Sequence, residues 1–149
     1  MTLLVPFDGS PLAEAALDRA REFGALLEQE VVVLAAIPHD AEYAAERGWI
    51  DEHESFEPEL FTLELRDRAA EIAPGATFRS EEPTDPDEES LSSTRLNIVR
   101  TIRTVAAELD ADIVFIGSEN AGRVARPLTS VGAPVSNDPR YDVHIVRHA

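Results

Sequence analysis

The residues best placed to do chemistry stand where an apolar run stops abruptly. Residues 3–7 are apolar, and Asp8, Gly9, Ser10 and Pro11 follow before a long amphipathic segment. A serine hydroxyl can accept a hydrogen bond from a first-turn amide, and proline suits the first helical position, so the pattern predicts strand, tight turn and helix. Asp8 then either closes this turn or faces a ligand at the carboxyl end of a parallel strand, where open α/β sheets bind ligands.

The elements that position Asp8 alternate along the whole chain. Further apolar runs predict strands at residues 31–37, 76–79 and 113–117 and from Val143 to Arg147. Together with the first run they predict one α/β domain over residues 1–149: a doubly wound, open, parallel five-stranded sheet of order 3-2-1-4-5 with helices on both faces. The order reverses between strands 1 and 4, so Asp8 and Gly117 should flank one crevice.

Apolar residues at helical spacing predict three helices between these strands. Residues 38–54, which mix Tyr43 and Trp49 with many charges, are read as a loop, a lid or an irregular helix. The apolar residues that mark the helices are Leu12, Ala16, Ala20, Phe23 and Leu27 in the first, Leu60, Leu63 and Ile72 in the second, and Leu96, Val99, Ile102, Val105, Ala106 and Leu109 in the third.

Composition narrows the classes of function. The chain has 149 residues, no cysteine, no lysine and a net charge of −16. The absence of cysteine excludes disulfides and thiolate metal sites, and the absence of a basic stripe argues against binding to nucleic acid or anionic lipid. No segment resembles a signal peptide or a membrane span, so a cytoplasmic protein is expected. Such a charge predicts a halophilic protein from a high-salt cytoplasm, with an acidic protein of a GC-rich genome as the alternative.

Several enzyme classes lack their required residues. A hydrolase needs a nucleophile beside a base, but Ser10 is better explained as a helix cap. A phosphorelay receiver domain uses a lysine, and a haloacid-dehalogenase-type phosphatase places a second acid two residues after the first, where this chain has Ser10. A zinc pair from His39 and His53 has no supporting spacing. The sequence therefore predicts neither a catalytic nor a metal site.

Asp8-Gly9-Ser10, Gly117-Ser118 and Ser130-Val131 together resemble the universal stress protein family. The resemblance extends over essentially the whole chain and is strongest through residue 20 and over residues 110–147. Many members of that family bind ATP through the pattern Gly-x2-Gly-x9-Gly followed by Ser or Thr. Glycines allow backbone amides to approach phosphate groups closely.

This phosphate-binding pattern is degraded here. Gly117 matches the first glycine, and Ser130-Val131 match the closing pair. Asn120 stands at the second glycine, with Gly122 offset, and Thr129 stands at the third with the spacer one residue shorter. A β-branched Thr129 restricts the backbone and fills space that a phosphate would need.

The resemblance also implies where an adenine nucleotide would lie. Pro6 and Asp8 would face the adenine and ribose, with Ala36 near the adenine. ATP binding is expected to be weak or absent, and slow ATP hydrolysis has no visible general base. Two hypotheses follow: a non-catalytic stress protein that acts through self-association and partner interaction, or a regulatory protein whose dimer responds to adenine nucleotide. A homodimer is expected through the last strand, Val143 to Arg147.

Overall fold

Five parallel strands form a single sheet in a computed structural model of the protein, which describes residues 2–83, 91–119 and 140–149. Their order is β3-β2-β1-β4-β5, which confirms the predicted topology. The strands are β1 (Thr2–Pro6), β2 (Glu30–Ala36), β3 (Thr77–Glu81), β4 (Ala111–Gly117) and β5 (Asp142–Val146).

The central strand β1 is buried on both faces. Leu3 pairs in register with Val31 of β2 on one side, and Leu4 pairs with Val114 of β4 on the other. Leu3, Leu4 and Val5 are fully buried. A continuous apolar run is what a parallel strand covered by helices requires, because alternate side chains enter opposite layers.

Helices cover the two faces of the sheet. They are α1 (Pro11–Leu27), α2 (Ala41–Glu46), α3 (Pro58–Ile72) and α4 (Leu91–Glu108). Helices α1 and α3 pack with Leu3 and Val5 on one face, and α4 packs with Leu4 on the other. The short α2 lies beside α4.

The turn after β1 forms as predicted. The Ser10 hydroxyl accepts a hydrogen bond from the Ala13 amide at 3.2 Å, and Pro11 occupies the first position of α1. At its other end α1 stops at Glu28, whose positive φ of 54° turns the chain toward β2. These ends aim the amino terminus of α1 at the carboxyl edge of the sheet.

Several predicted details are wrong by a residue or by a helix face. The last strand runs one residue earlier than the predicted Val143 to Arg147. Residues 38–54, for which the sequence predicts a loop, a lid or an irregular helix, contain the short helix α2. Leu27 and Leu96 do not join the buried stripes of their helices, since their exposed fractions are 54% and 37%. In α3 the face toward the core carries Phe61, Leu65, Ala69 and Ile72, so Leu60 and Leu63 lie on a different face and are about half exposed.

No helix in the described ranges is both long enough and apolar enough to cross a membrane.

Candidate functional site

A cleft opens at the carboxyl edge of the sheet, where the strand order reverses between β1 and β4. Its volume is about 240 Å³, and both Asp8 and Gly117 line it, as the predicted topology requires. Pro6 and Ala36 line it as well. One wall of the cleft is apolar and is formed by Leu34, Ala36, Ile98, Val99, Ile102 and Ile116.

Asp8 both closes its turn and faces this cleft. Its Oδ1 accepts a hydrogen bond from the Ser10 amide at 3.0 Å, and its Oδ2 accepts one from an Arg47 guanidinium nitrogen at 2.8 Å. Just before it, the Phe7 amide donates to the Leu34 carbonyl at 2.8 Å and keeps the chain beside β2. The two roles left open for Asp8 by its position in the sequence are therefore compatible.

Two glycines allow the chain to pack closely around Asp8. Gly9 has a φ of +80°, and a Cβ there would lie 3.0 Å from Leu65 Cδ2. At Gly117 a Cβ would lie 2.7 Å from Leu12 Cβ. Gly117 thus lets the first turn of α1 pack directly on the end of β4, which is a packing reason for glycine independent of any ligand.

Arg47 is a site residue that the sequence analysis missed. It caps the carboxyl end of α2, and its side chain is only 23% exposed where it pairs with Asp8, itself 22% exposed. Its Nε is buried and has no hydrogen-bond acceptor among the residues that the structure describes. Burial alone would lower the pKa of Arg47, but the hydrogen bond and charge of Asp8 outweigh it and raise that pKa.

The position of Arg47 depends on how α2 is held against α4. Asp40 caps α2 by accepting from the Tyr43 amide at 3.0 Å, and it also accepts from the Thr94 hydroxyl at 3.0 Å. At the other end of α2, Glu46 forms an ion pair with Arg95, which also lines the cleft. No local spacing of residues predicts these contacts, because they join segments about 50 residues apart.

An aromatic cluster extends α2 toward α3. The Trp49 ring packs against Tyr43 at a centroid distance of 5.5 Å and against Phe61 of α3 at 4.7 Å, and Phe56 contacts both Trp49 and Phe61. Tyr43 and Trp49 line the cleft. Burial raises the pKa of Tyr43, so its hydroxyl stays protonated at neutral pH. This cluster fixes the segment after β2 as one wall of the cleft.

The predicted site residues divide between described and undescribed parts of the chain. Pro6, Asp8, Ala36 and Gly117 meet at the cleft, where Glu119 also lines the edge. The remaining predicted residues, which are Asn120, Gly122, Thr129, Ser130 and Val131, lie outside the described residues.

The histidines lie in other environments. His39 Nδ1 lies 3.2 Å from a Glu82 carboxylate oxygen, and the His144 ring stacks on Phe115 at a centroid distance of 4.9 Å. Within residues 2–83, 91–119 and 140–149, no three potential ligands among His, Cys, Asp and Glu cluster as a metal site would require.

Solved structures with the same fold extend over nearly the full chain. The universal stress protein from Archaeoglobus fulgidus in complex with dAMP has a TM-score of 0.62 and 20% identity, covering 99% of this chain and 98% of that one. A universal stress protein in complex with cAMP has a TM-score of 0.55 and 23% identity, covering 100% and 98%. A family protein from Burkholderia pseudomallei has a TM-score of 0.56 and 20% identity, covering 97% and 94%.

Sequence comparison gives the family directly. No curated protein is detectably similar in sequence to this chain. The sequence profile of the universal stress protein family, in contrast, matches residues 1–147. The chain belongs to the universal stress protein family.

Proposed function

We propose that this protein is a non-catalytic stress-response module that binds an adenine nucleotide in the cleft between β1 and β4. The observation that carries the proposal is the cleft itself, which joins the Asp8 carboxylate, an apolar wall and two arginines at the switch point of the sheet. Ligand sites of open α/β sheets lie at that point, and an apolar pocket with a few convergent polar groups is typical of them.

The apolar wall suits a planar base. Ile98, Val99 and Ile102 of α4 face the cleft opposite the ends of β1 and β2, and the small Ala36 side chain leaves room there. Two proteins that share the fold were solved with dAMP and cAMP. Their ligands support an adenine mononucleotide as the first candidate.

The charges of the cleft suit an anionic ligand better than the chain's net charge of −16 suggests. Arg47 and Arg95 line the cleft together with Asp8 and Glu119, so the lining carries two positive and two negative side chains rather than an excess of acid. The two guanidinium groups offer hydrogen-bond donors to a phosphate group and offset the two carboxylates of the lining.

Calorimetric titration in molar salt tests the proposal. AMP should bind, while Mg-ATP should bind no tighter than about 100 μM, because Asn120 and Thr129 replace two glycines of the phosphate-binding pattern. An Ala36→Leu variant that retains its melting temperature should lose AMP binding, because the larger side chain fills the base position. Absence of AMP binding at millimolar concentration would refute the nucleotide proposal. Micromolar Mg-ATP affinity would refute the degraded phosphate pattern.

A second candidate is a stress protein that acts through self-association without nucleotide. It is favoured by β5, which is an edge strand of the described sheet with Ile145 38% exposed. An edge strand leaves amides and carbonyls free to pair with a second chain. Mass spectrometry of small molecules that co-purify with the protein separates the two candidates, since a retained nucleotide favours the first.

A further inference from the structure

Arg47 has more hydrogen-bonding capacity than its partner uses. One guanidinium nitrogen donates to Asp8 Oδ2 at 2.8 Å, whereas the buried Nε has no acceptor among the described residues. A guanidinium carries five N–H donors and no acceptor, so an arginine beside a cleft can hold one acid and still donate to a second anion. The Nε itself is buried, so the donors left for a ligand are those of the terminal guanidinium nitrogens, in a side chain that is 23% exposed.

The guanidinium donors of Arg47 that Asp8 does not use lie near the start of the phosphate-binding pattern. Arg47 lines the same cleft as Gly117, and the charge of Glu119, two residues beyond Gly117, raises the pKa of Arg47. The guanidinium is therefore within electrostatic range of the chain that follows β4. Glu119, like Asp8, also offsets part of the positive charge of Arg47.

We infer that Arg47 is the specificity-determining residue by which the cleft distinguishes a nucleoside monophosphate from the unphosphorylated nucleoside. This inference rests on the proposed nucleotide function and adds the group that recognises phosphate. Asp8 lowers the preference for the phosphorylated ligand, because its negative charge repels the phosphate and offsets the positive charge of the Arg47 guanidinium. The ratio of AMP to adenosine affinity is thus set by the Arg47–Asp8 pair.

The affinities of AMP and adenosine should be measured on the same protein. Because the two ligands share the base and the ribose, the ratio of their affinities reports the contribution of the phosphate group. The chain has one tryptophan, Trp49, and it lines the cleft, so its fluorescence reports both ligands. Arg47→Gln should reduce the preference for AMP over adenosine by about tenfold, the scale of a lost hydrogen bond to a charged group. Asp8→Asn should increase that preference, since it removes the competing negative charge at nearly constant size.

Two further variants control for the change of net charge and for loss of folding. Arg68→Gln makes the same change of net charge at a residue that pairs with Glu14 outside the cleft, and it should leave the preference unchanged. Arg47→Lys should retain part of the preference, and it replaces Arg47→Gln if the latter does not fold by circular dichroism. An unchanged preference in folded Arg47→Gln, or a reduced one in Asp8→Asn, would overturn the inference while nucleotide binding stands. A wild-type protein that binds neither ligand would overturn the proposed function itself.

Discussion

Replacing Gly117 by alanine should destabilise the fold through a single contact. The added Cβ would lie 2.7 Å from Leu12 Cβ, whereas ordinary van der Waals contact begins near 3.4 Å. The obstacle is the first carbon of the Leu12 side chain, which no rotamer change can move. The first turn of α1 must therefore shift by about 0.7 Å away from the end of β4.

Overpacking of this kind costs about 1–3 kcal/mol, and a central value of about 2 kcal/mol lowers the melting temperature of a domain this size by roughly 4–8 °C. The backbone itself adds no cost, because the φ of Gly117 is not in the left-handed region. The shift would also displace Ser10 and Asp8, which lead into the same turn. AMP binding should consequently weaken together with stability.

Two other glycines separate this clash from the general effects of replacing glycine. A Cβ at Gly75 meets nothing within 4 Å, so Gly75→Ala should be neutral or slightly stabilising. Gly48 is equally open but has a φ of +79°, so Gly48→Ala should cost about 1 kcal/mol from its backbone alone. The melting temperatures of the three alanine variants are compared by thermal unfolding followed by circular dichroism. If Gly117→Ala melts no lower than Gly75→Ala, the inferred packing of α1 on β4 is wrong.

Three further predictions concern salt, assembly and pH. Lowering salt from 1 M to 0.1 M extends the screening distance from about 3 Å to about 10 Å, so with a net charge of −16 the melting temperature should fall, and a flat response would contradict a halophilic protein. Light scattering should give roughly twice the chain mass of 16.3 kDa, and Ile145→Pro should abolish the dimer; a dimer that persists in folded Ile145→Pro would place the interface elsewhere. Burial and the nearby Arg19 charge lower the pKa of His144 below 6.5, so its neutral form contributes stability above about pH 6.5 that is lost as pH falls through the folded pKa. The stability of the wild type minus that of His144→Gln, measured as free energy of unfolding, should therefore be larger at pH 8 than at pH 5. A difference that does not change with pH would refute this.

The strand order and the location of the cleft were predictable from the sequence because both depend on local patterns. Apolar runs give the strands, Ser10 and Pro11 give the start of α1, and right-handed crossovers then leave few topologies. Once the order is fixed, Asp8 and Gly117 must meet at the reversal point. For Asp8 and Gly117, a position at the end of β1 or β4 is thus enough to place them at the cleft.

The helix faces and the Arg47–Asp8 pair were not predictable in the same way. Leu27 and Leu96 fit the helical period, yet both side chains are exposed. Leu27 is the last residue of α1, and Leu96 lies to one side of the α4 face that carries Ile102 and Ala106. Arg47 stands in a segment without apolar periodicity, and it reaches Asp8 only because Asp40 and Glu46 tie α2 to α4. Such pairings depend on side chains far apart in sequence, so no local spacing reveals them.

If the cleft between β1 and β4 holds an adenine nucleotide, AMP must lie against the side chains that line it. Nuclear Overhauser contacts between AMP and the methyl groups of the protein, measured at saturating AMP in molar salt, test this placement. The adenine protons should show contacts to the methyl groups of Ala36, Ile98 and Val99, which line the cleft. Contacts confined to methyl groups elsewhere, such as those of the exposed Leu60 and Leu63, or no contacts at all, would contradict it.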